Sequence, residues 1–104
     1  MVRKVQMAKK PSVYGTEKVC YICKSPYVEI HHIWQSDRRV IADREGLTVP
    51  LCHFHHQDPR YGVHYDASLR EFFRRDAQRR WEEREGIDEP EHETFIALIG
   101  ENYL

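Results

Sequence analysis

The sequence predicts a small α+β domain: two short strands, a long helix after them, a short C-terminal helix, and a side-chain staple to hold so few elements together. Three observations predict it. Cys20-x-x-Cys23 is answered downstream by Cys52-x-x-His55, short β-branched and aromatic runs adjoin both pairs, and Leu69, Phe72, Phe73, Ala77 and Trp81 recur at helical spacings of three and four. A chain of 104 residues has room for one domain and buries a modest share of its surface unless something staples it. Zinc takes four tetrahedral nitrogen and sulfur ligands, and a two-residue gap lets both side chains of a turn reach one ion. The spacing therefore predicts a structural zinc ion at Cys20, Cys23, Cys52 and His55, with His53 or His56 as alternative fourth ligands.

Taken in order, residues 1–17 read as a basic flexible arm, with Arg3, Lys4, Lys9 and Lys10 beside Pro11 and Gly15 and no clear period. Residues 18–104 read as the domain with its C-terminal helical extension. Val19 to Pro26 reads as a knuckle, Tyr27 to Trp34 (YVEIHHIW) as a strand, and the polar stretch 35–46 as a loop. Leu47 to Cys52 reads as a second strand, which Pro50 places at an edge or a strand end. A histidine-rich turn follows. Asp66-Ala67-Ser68 offers caps for a helix running to about Arg84, and Gly86 stops it. Asp88-Glu89-Pro90 starts a new element, and Phe95, Ile96, Leu98 and Ile99 form a terminal helix ended by Gly100.

Composition narrows the class. The chain is 40% hydrophobic and 32% charged, and its Trp, Tyr and Phe make the apolar residues large, which suits a small core rather than disorder. No apolar run approaches the roughly 20 residues that span a bilayer, and the N-terminus has no signal-like stretch, so a cytoplasmic protein without a membrane partner is expected. Three cysteines and seven histidines favour metal over structural disulfides in that compartment. A Cys20/Cys23 redox pair would need a parallel α/β pattern, which is missing. A net charge of −1 does not suggest nucleic acid by itself. Local charge carries that possibility: Arg70, Arg74, Arg75, Arg79 and Arg80 lie off the apolar stripe, with Arg38, Arg39 and Lys9-Lys10 elsewhere. Glu71, Glu82, Glu83 and Glu85 on the same helix would instead pair with those arginines on a solvated face.

His31 and His32 end the first predicted strand. Adjacent strand residues point to opposite faces, so one can bind a metal while the other faces a neighbouring position. The plainer reading is one packed and one solvated histidine. His64, past Pro59 and Gly62, is either a further ligand or a turn cap.

The run Cys20-x-x-Cys23, Glu29-Ile30-His31-His32-Ile33 and Val49-Pro50-Leu51-Cys52-x-x-His55-His56 resembles the zinc-containing HNH (His-Me finger) endonucleases over about residues 18–65. Gly62-Val63-His64, the Arg-rich helix and the ending from Ile99 to Leu104 are similar to small HNH-like proteins of phages and prophages. The resemblance implies a ββα-metal, treble-clef-like core and hydrolysis of DNA phosphodiester bonds, by nicking or cleavage, in the cytoplasm of a bacterial host. It implies His31 and His56 as ligands of a catalytic Mg²⁺ or Mn²⁺ and His32 as the general base, and His64 is a further candidate ligand by its position. Arg38, Arg39, Arg70 and Arg74 are then the candidate DNA contacts, and a dimer would suit cutting both strands. Where the family has Asn this chain has Leu47, leaving Gln35, Asp37 or Asp43 to orient the base. The other function class these residues allow is a zinc-binding module that contacts nucleic acid or protein without catalysis.

Overall fold

Alternation along a short antiparallel pair decides which side chains face the interior. In the computed structural model, which describes residues 9–104, β1 (Glu29–His32) pairs with β2 (Thr48–Leu51) in the register Glu29 with Leu51, Ile30 with Pro50, His31 with Val49 and His32 with Thr48. His31 is buried and its neighbour Ile30 is exposed, as the pleat requires. Four α-helices complete the small compact α+β fold: α1 (Arg39–Glu45), α2 (His53–Gln57), α3 (Ala67–Glu85) and α4 (Glu93–Ile99), with 3₁₀ turns at Ser36–Arg38 and Val63–Tyr65. Among the described residues no helix is long and apolar enough to cross a membrane.

The core lies between the sheet, α3 and α4. Val49 and Leu51 of β2 meet Phe73, Ala77 and Trp81 of α3, and Phe95 of α4 packs its ring against both Trp34 and Trp81, at 5.6 and 5.5 Å between centroids. Phe73, Ala77 and Trp81 are spaced by four, which keeps them on one helix face. Phe72 was expected in that stripe, but it is 49% exposed because it sits about 100° around the helix from Phe73. Asp66 caps α3 by accepting from the Leu69 amide at 2.9 Å. Buried Gln78 donates to Asn102 at 2.8 Å and accepts from the Tyr103 amide at 2.8 Å, so the C-terminal ending is tied to α3.

Two expectations are corrected. Residues 35–46 are not a loop: after the 3₁₀ turn they form α1, whose Ala42 and Glu45 face inward while Val40 stays 74% exposed. With so little apolar surface, α1 shows no helical stripe in the sequence. Nor are residues 10–14 a free arm. The Lys10 amide donates to the Arg44 carbonyl and the Val13 amide to the Gly46 carbonyl, Ser12 Oγ donates to the Thr48 carbonyl, and Tyr14 donates to Asp76 at 2.7 Å. The first two satisfy carbonyls at the end of α1 that the helix cannot satisfy itself, while Ser12 and Tyr14 tie the segment to β2 and α3. Arg3 and Lys4 of the expected arm lie outside the described residues.

Gly46 ends α1 in the left-handed region at φ 74°, and a Cβ there would stand 2.0 Å from the Pro11 carbonyl oxygen. Gly46→Ala is expected to cost at least about 1–2 kcal/mol, from the unfavourable φ and the displaced N-terminal segment. A thermal unfolding midpoint equal to the parent's would show that this closure is dispensable.

Candidate metal centres

The knuckle is built by backbone hydrogen bonds. The Cys20 amide donates to the Ser25 carbonyl and the Lys24 amide to the Cys20 carbonyl, each at 2.8 Å, while Lys24 takes φ 68° to close the turn. The Tyr21 amide donates to the Pro50 carbonyl, docking the knuckle on β2. Cys52 precedes α2 and His55 lies within it, which brings four donors together: Cys23 Sγ is 3.7 Å from Cys52 Sγ, and His55 Nδ1 is 3.6 Å from Cys20 Sγ and 3.3 Å from Cys52 Sγ. A zinc tetrahedron with Zn–S of about 2.3 Å has edges of about 3.7 Å between sulfurs and about 3.5 Å between sulfur and nitrogen. The four atoms all lie within 4.8 Å of one another and can hold one metal ion such as zinc. Burial disfavours the Cys20 thiolate, but backbone N–H groups of Cys52, Cys23 and Ile22 outweigh it and bring the thiol down to about 6. A thiolate available near neutrality is the form a metal needs.

The structure assembles a second cluster from His31 on β1, His56 on α2 and His64 in the second 3₁₀ turn, whose donor atoms also lie within 4.8 Å of one another. His31 and His56 are buried, and His64 is exposed, so the cluster opens to solvent on the His64 side. His56 Nε2 faces His64 Nε2 at 2.9 Å, while His56 Nδ1 stands 2.7 Å from the Glu29 carboxylate. A carboxylate only accepts, so Nδ1 carries the proton and Nε2 presents its lone pair to the cluster. His31 Nδ1 is buried with no hydrogen-bond partner among the described residues. Burial pushes the His31 imidazole down to about 3, and the positive charge of His56, His64, His32 and Arg74 adds to the shift. His64 is lowered as well, first by burial and then by His56 and Arg70. A buried His31 held neutral, with one nitrogen unsatisfied, suits a metal ion.

Of the three histidines that compete by spacing, only His55 reaches the cysteines, for His53 and His56 both turn to Glu29, the first at 2.9 Å. His32 joins neither cluster. Alternation places its ring on the other face of β1, where Nε2 is 2.9 Å from Asp43 Oδ1. Gln35 donates instead to the His32 carbonyl, and Leu47 is fully buried in the core. Among the expected DNA contacts, Arg70 is engaged within the chain, donating to the Val63 and His64 carbonyls at 3.2 and 2.9 Å. Arg38 and Arg39 lie near the start of α1 with no ion-pair partner among the described residues, and Arg79 and Arg80 pair with Asp76 rather than with the helix glutamates. Sequence reading gave Glu29 no role, yet it accepts from His53, His56 and Gln57 together. Its signal was available: Glu29 and His31 are two apart on a strand and share a face.

No protein-family model matches the chain, and no curated protein or solved structure matches it significantly. The site is therefore read from its own geometry.

Two outcomes follow from that geometry. Glu29→Gln keeps the shape but not the charge behind His56, and is expected to weaken Mn²⁺ binding at the three-histidine cluster by about 10–100-fold while zinc content stays unchanged. Titration calorimetry on zinc-loaded protein reads this, and an unaltered Mn²⁺ affinity would refute the role given to Glu29. The second concerns pH. The folded-state pKa of His31 lies below its unfolded value of about 6.5, so between the two the unfolded chain binds a proton that the folded chain excludes. Stability of protein free of added divalent metal should fall as pH drops below about 6.5, His31 alone contributing up to about 1.4 kcal/mol per pH unit, and His31 contributes nothing above that pH. His31→Leu should flatten denaturant midpoints between about pH 6.5 and 5.5; the same slope in parent and variant would count against a neutral buried His31.

Proposed function

We propose that the protein is a metal-dependent endonuclease of the HNH type that hydrolyses DNA phosphodiester bonds, on a treble-clef-like ββα-metal frame held by zinc at Cys20, Cys23, Cys52 and His55. The observation that carries this reading is the convergence of His31, His56 and His64 into a second cluster beside the first, with Glu29 behind His56. Two independent donor sets in so short a chain are more than a structural staple requires. His31, His56 and His64 would hold a Mg²⁺ or Mn²⁺ ion, which would supply Lewis-acid polarisation of the phosphate and stabilise charge on the leaving oxygen.

His32 has the features of the base. Asp43 accepts from its Nε2–H at 2.9 Å, which leaves Nδ1 as the acceptor. A histidine oriented by a carboxylate can take the proton of a water molecule as its oxygen attacks phosphorus and the bond to the 3′ oxygen breaks. Asp43 thereby supports the function that the Asn serves in the family pattern, from a different position in the chain. The reading puts the scissile phosphate across the end of β1, where His31 and His32 leave the strand on opposite faces, with Arg38 and Arg39 near the start of the helix that carries Asp43.

One observation favours the second reading, a zinc-binding module that contacts nucleic acid or protein without catalysis. Leu47 is wholly within the core and offers the site no polar group. Supercoiled plasmid separates the two. Zinc-loaded protein should convert it to open circles only with Mn²⁺ or Mg²⁺, and His32→Ala should slow this by about 100-fold or more. One zinc per chain, no metal-dependent nicking, and a His32→Ala protein indistinguishable from the parent would overturn the endonuclease reading.

A further inference from the structure

All three cysteines of the chain meet in the first cluster, and they differ in what can reach them. Cys20 and Cys52 are buried, whereas Cys23 stands exposed on the knuckle turn. The Cys20 sulfur is further covered by the backbone N–H groups of Cys52, Cys23 and Ile22. Cys23 Sγ lies 3.7 Å from Cys52 Sγ. Closing that gap to the about 2.05 Å of a disulfide moves each sulfur by less than about 1 Å. An exposed thiolate with a second cysteine sulfur in reach is an arrangement in which oxidation proceeds to a reversible bridge.

What the bridge would undo follows from what each ligand holds. Joining Cys23 to Cys52 leaves a metal only Cys20 and His55, two ligands where zinc takes four. His55 then has no ion to anchor it, and α2 keeps only the contacts of His53, His56 and Gln57 with Glu29. We propose that Cys23 and Cys52 form a peroxide-sensitive switch, whose closure expels zinc from the first cluster and loosens α2. The Cys23 thiolate attacks one oxygen of hydrogen peroxide and the O–O bond breaks, giving a sulfenic acid and a hydroxide that takes a proton from solvent. The Cys52 thiolate then attacks the Cys23 sulfur, the S–O bond breaks, and a second hydroxide leaves and is protonated. Two thiolates, one peroxide and two protons thus give one disulfide and two waters, the sulfurs losing the two electrons that the peroxide gains. A dithiol reductant reverses the bridge. The inference goes beyond the endonuclease reading and depends on the four-donor site alone.

Zinc release is the readout. Full-length zinc-loaded protein treated with hydrogen peroxide beside a chromophoric zinc chelator should release one zinc per bridge formed, and dithiothreitol with added zinc should restore the bound state. Fragmentation spectra of the linked peptides should join Cys23 to Cys52. Cys23→His keeps a ligand and removes the exposed thiol, so it should release zinc at least about tenfold more slowly, whereas Cys20→His should release it at about the parent's rate. If either variant is isolated without zinc, the bridge mapped in the parent decides the pair. Amide hydrogen exchange across residues 53–57 should rise on oxidation. Protein that binds no zinc, zinc retained through oxidation, a bridge that includes Cys20, equal release from parent and Cys23→His, or unchanged exchange in α2 overturns the proposal. Reduced protein that leaves plasmid intact removes the endonuclease reading and leaves this switch standing, while nicking by protein that keeps its zinc in peroxide does the reverse.

Discussion

Both donor clusters hang on α2, a helix of only five residues. Consecutive helical residues point about 100° apart, so directing His55 at the cysteines also fixes where His56 can point. A helix this short has no independent stability in water, since its nucleation cost is spread over almost no propagation. It is held by contacts at its ends and flanks: Cys52 and His55 in the first cluster, and His53, His56 and Gln57 on Glu29. Glu29 and His31 share one face of β1, so the same strand clamps α2 and contributes to the second cluster. The dependence runs one way. Loosening the cysteine site would free α2 and scatter His56, whereas removing His31 or His64 leaves the four cysteine-site donors untouched.

The alternation of β1 that aims His31 inward aims His32 at α1. Asp43 can meet His32 only because residues 36–45 coil back over that face, and α1 is short and poor in apolar surface. Its end is secured from outside, by the Lys10 and Val13 amides on the carbonyls of Arg44 and Gly46 and by Lys10 on Glu45 at 2.8 Å. Trp81 reaches the same carboxylate from α3 at 3.1 Å. The N-terminal segment thus bears on the geometry of His32 by securing α1 and, directly, through the ion pair of Lys9 with Asp43.

What could be read in the sequence was what spacing encodes locally. The Cys-x-x-Cys and Cys-x-x-His pairs, the caps and the α3 stripe each involve residues a few positions apart, where backbone geometry leaves little choice. The missed parts are non-local. α1 lacks a stripe because only Ala42 and Glu45 of its seven residues are buried, and the docking of residues 10–14 rests largely on main-chain groups that every residue type carries. His64 is eight residues from His56, and whether a turn through Pro59 and Gly62 brings it back depends on packing against α3. Asp43 orients the ring of His32 from across the fold, and no fixed spacing announces such a partner, whereas Glu29 was legible through the face of β1 it shares with His31.

Net charge was the least informative signal, and the structure shows why. A total of −1 averages over charges that cancel within the chain, with Asp76 held by Arg79 and Arg80, Glu45 by Lys10 and Glu85 by Arg84. Cancelled pairs of this kind are screened and reach little beyond themselves. What acts on a ligand is the charge left over, such as that of Arg38, Arg39 and Arg74, which have no ion-pair partner among the described residues. A nearly neutral protein can therefore still carry locally unopposed cations, and a total near zero says little about where they stand.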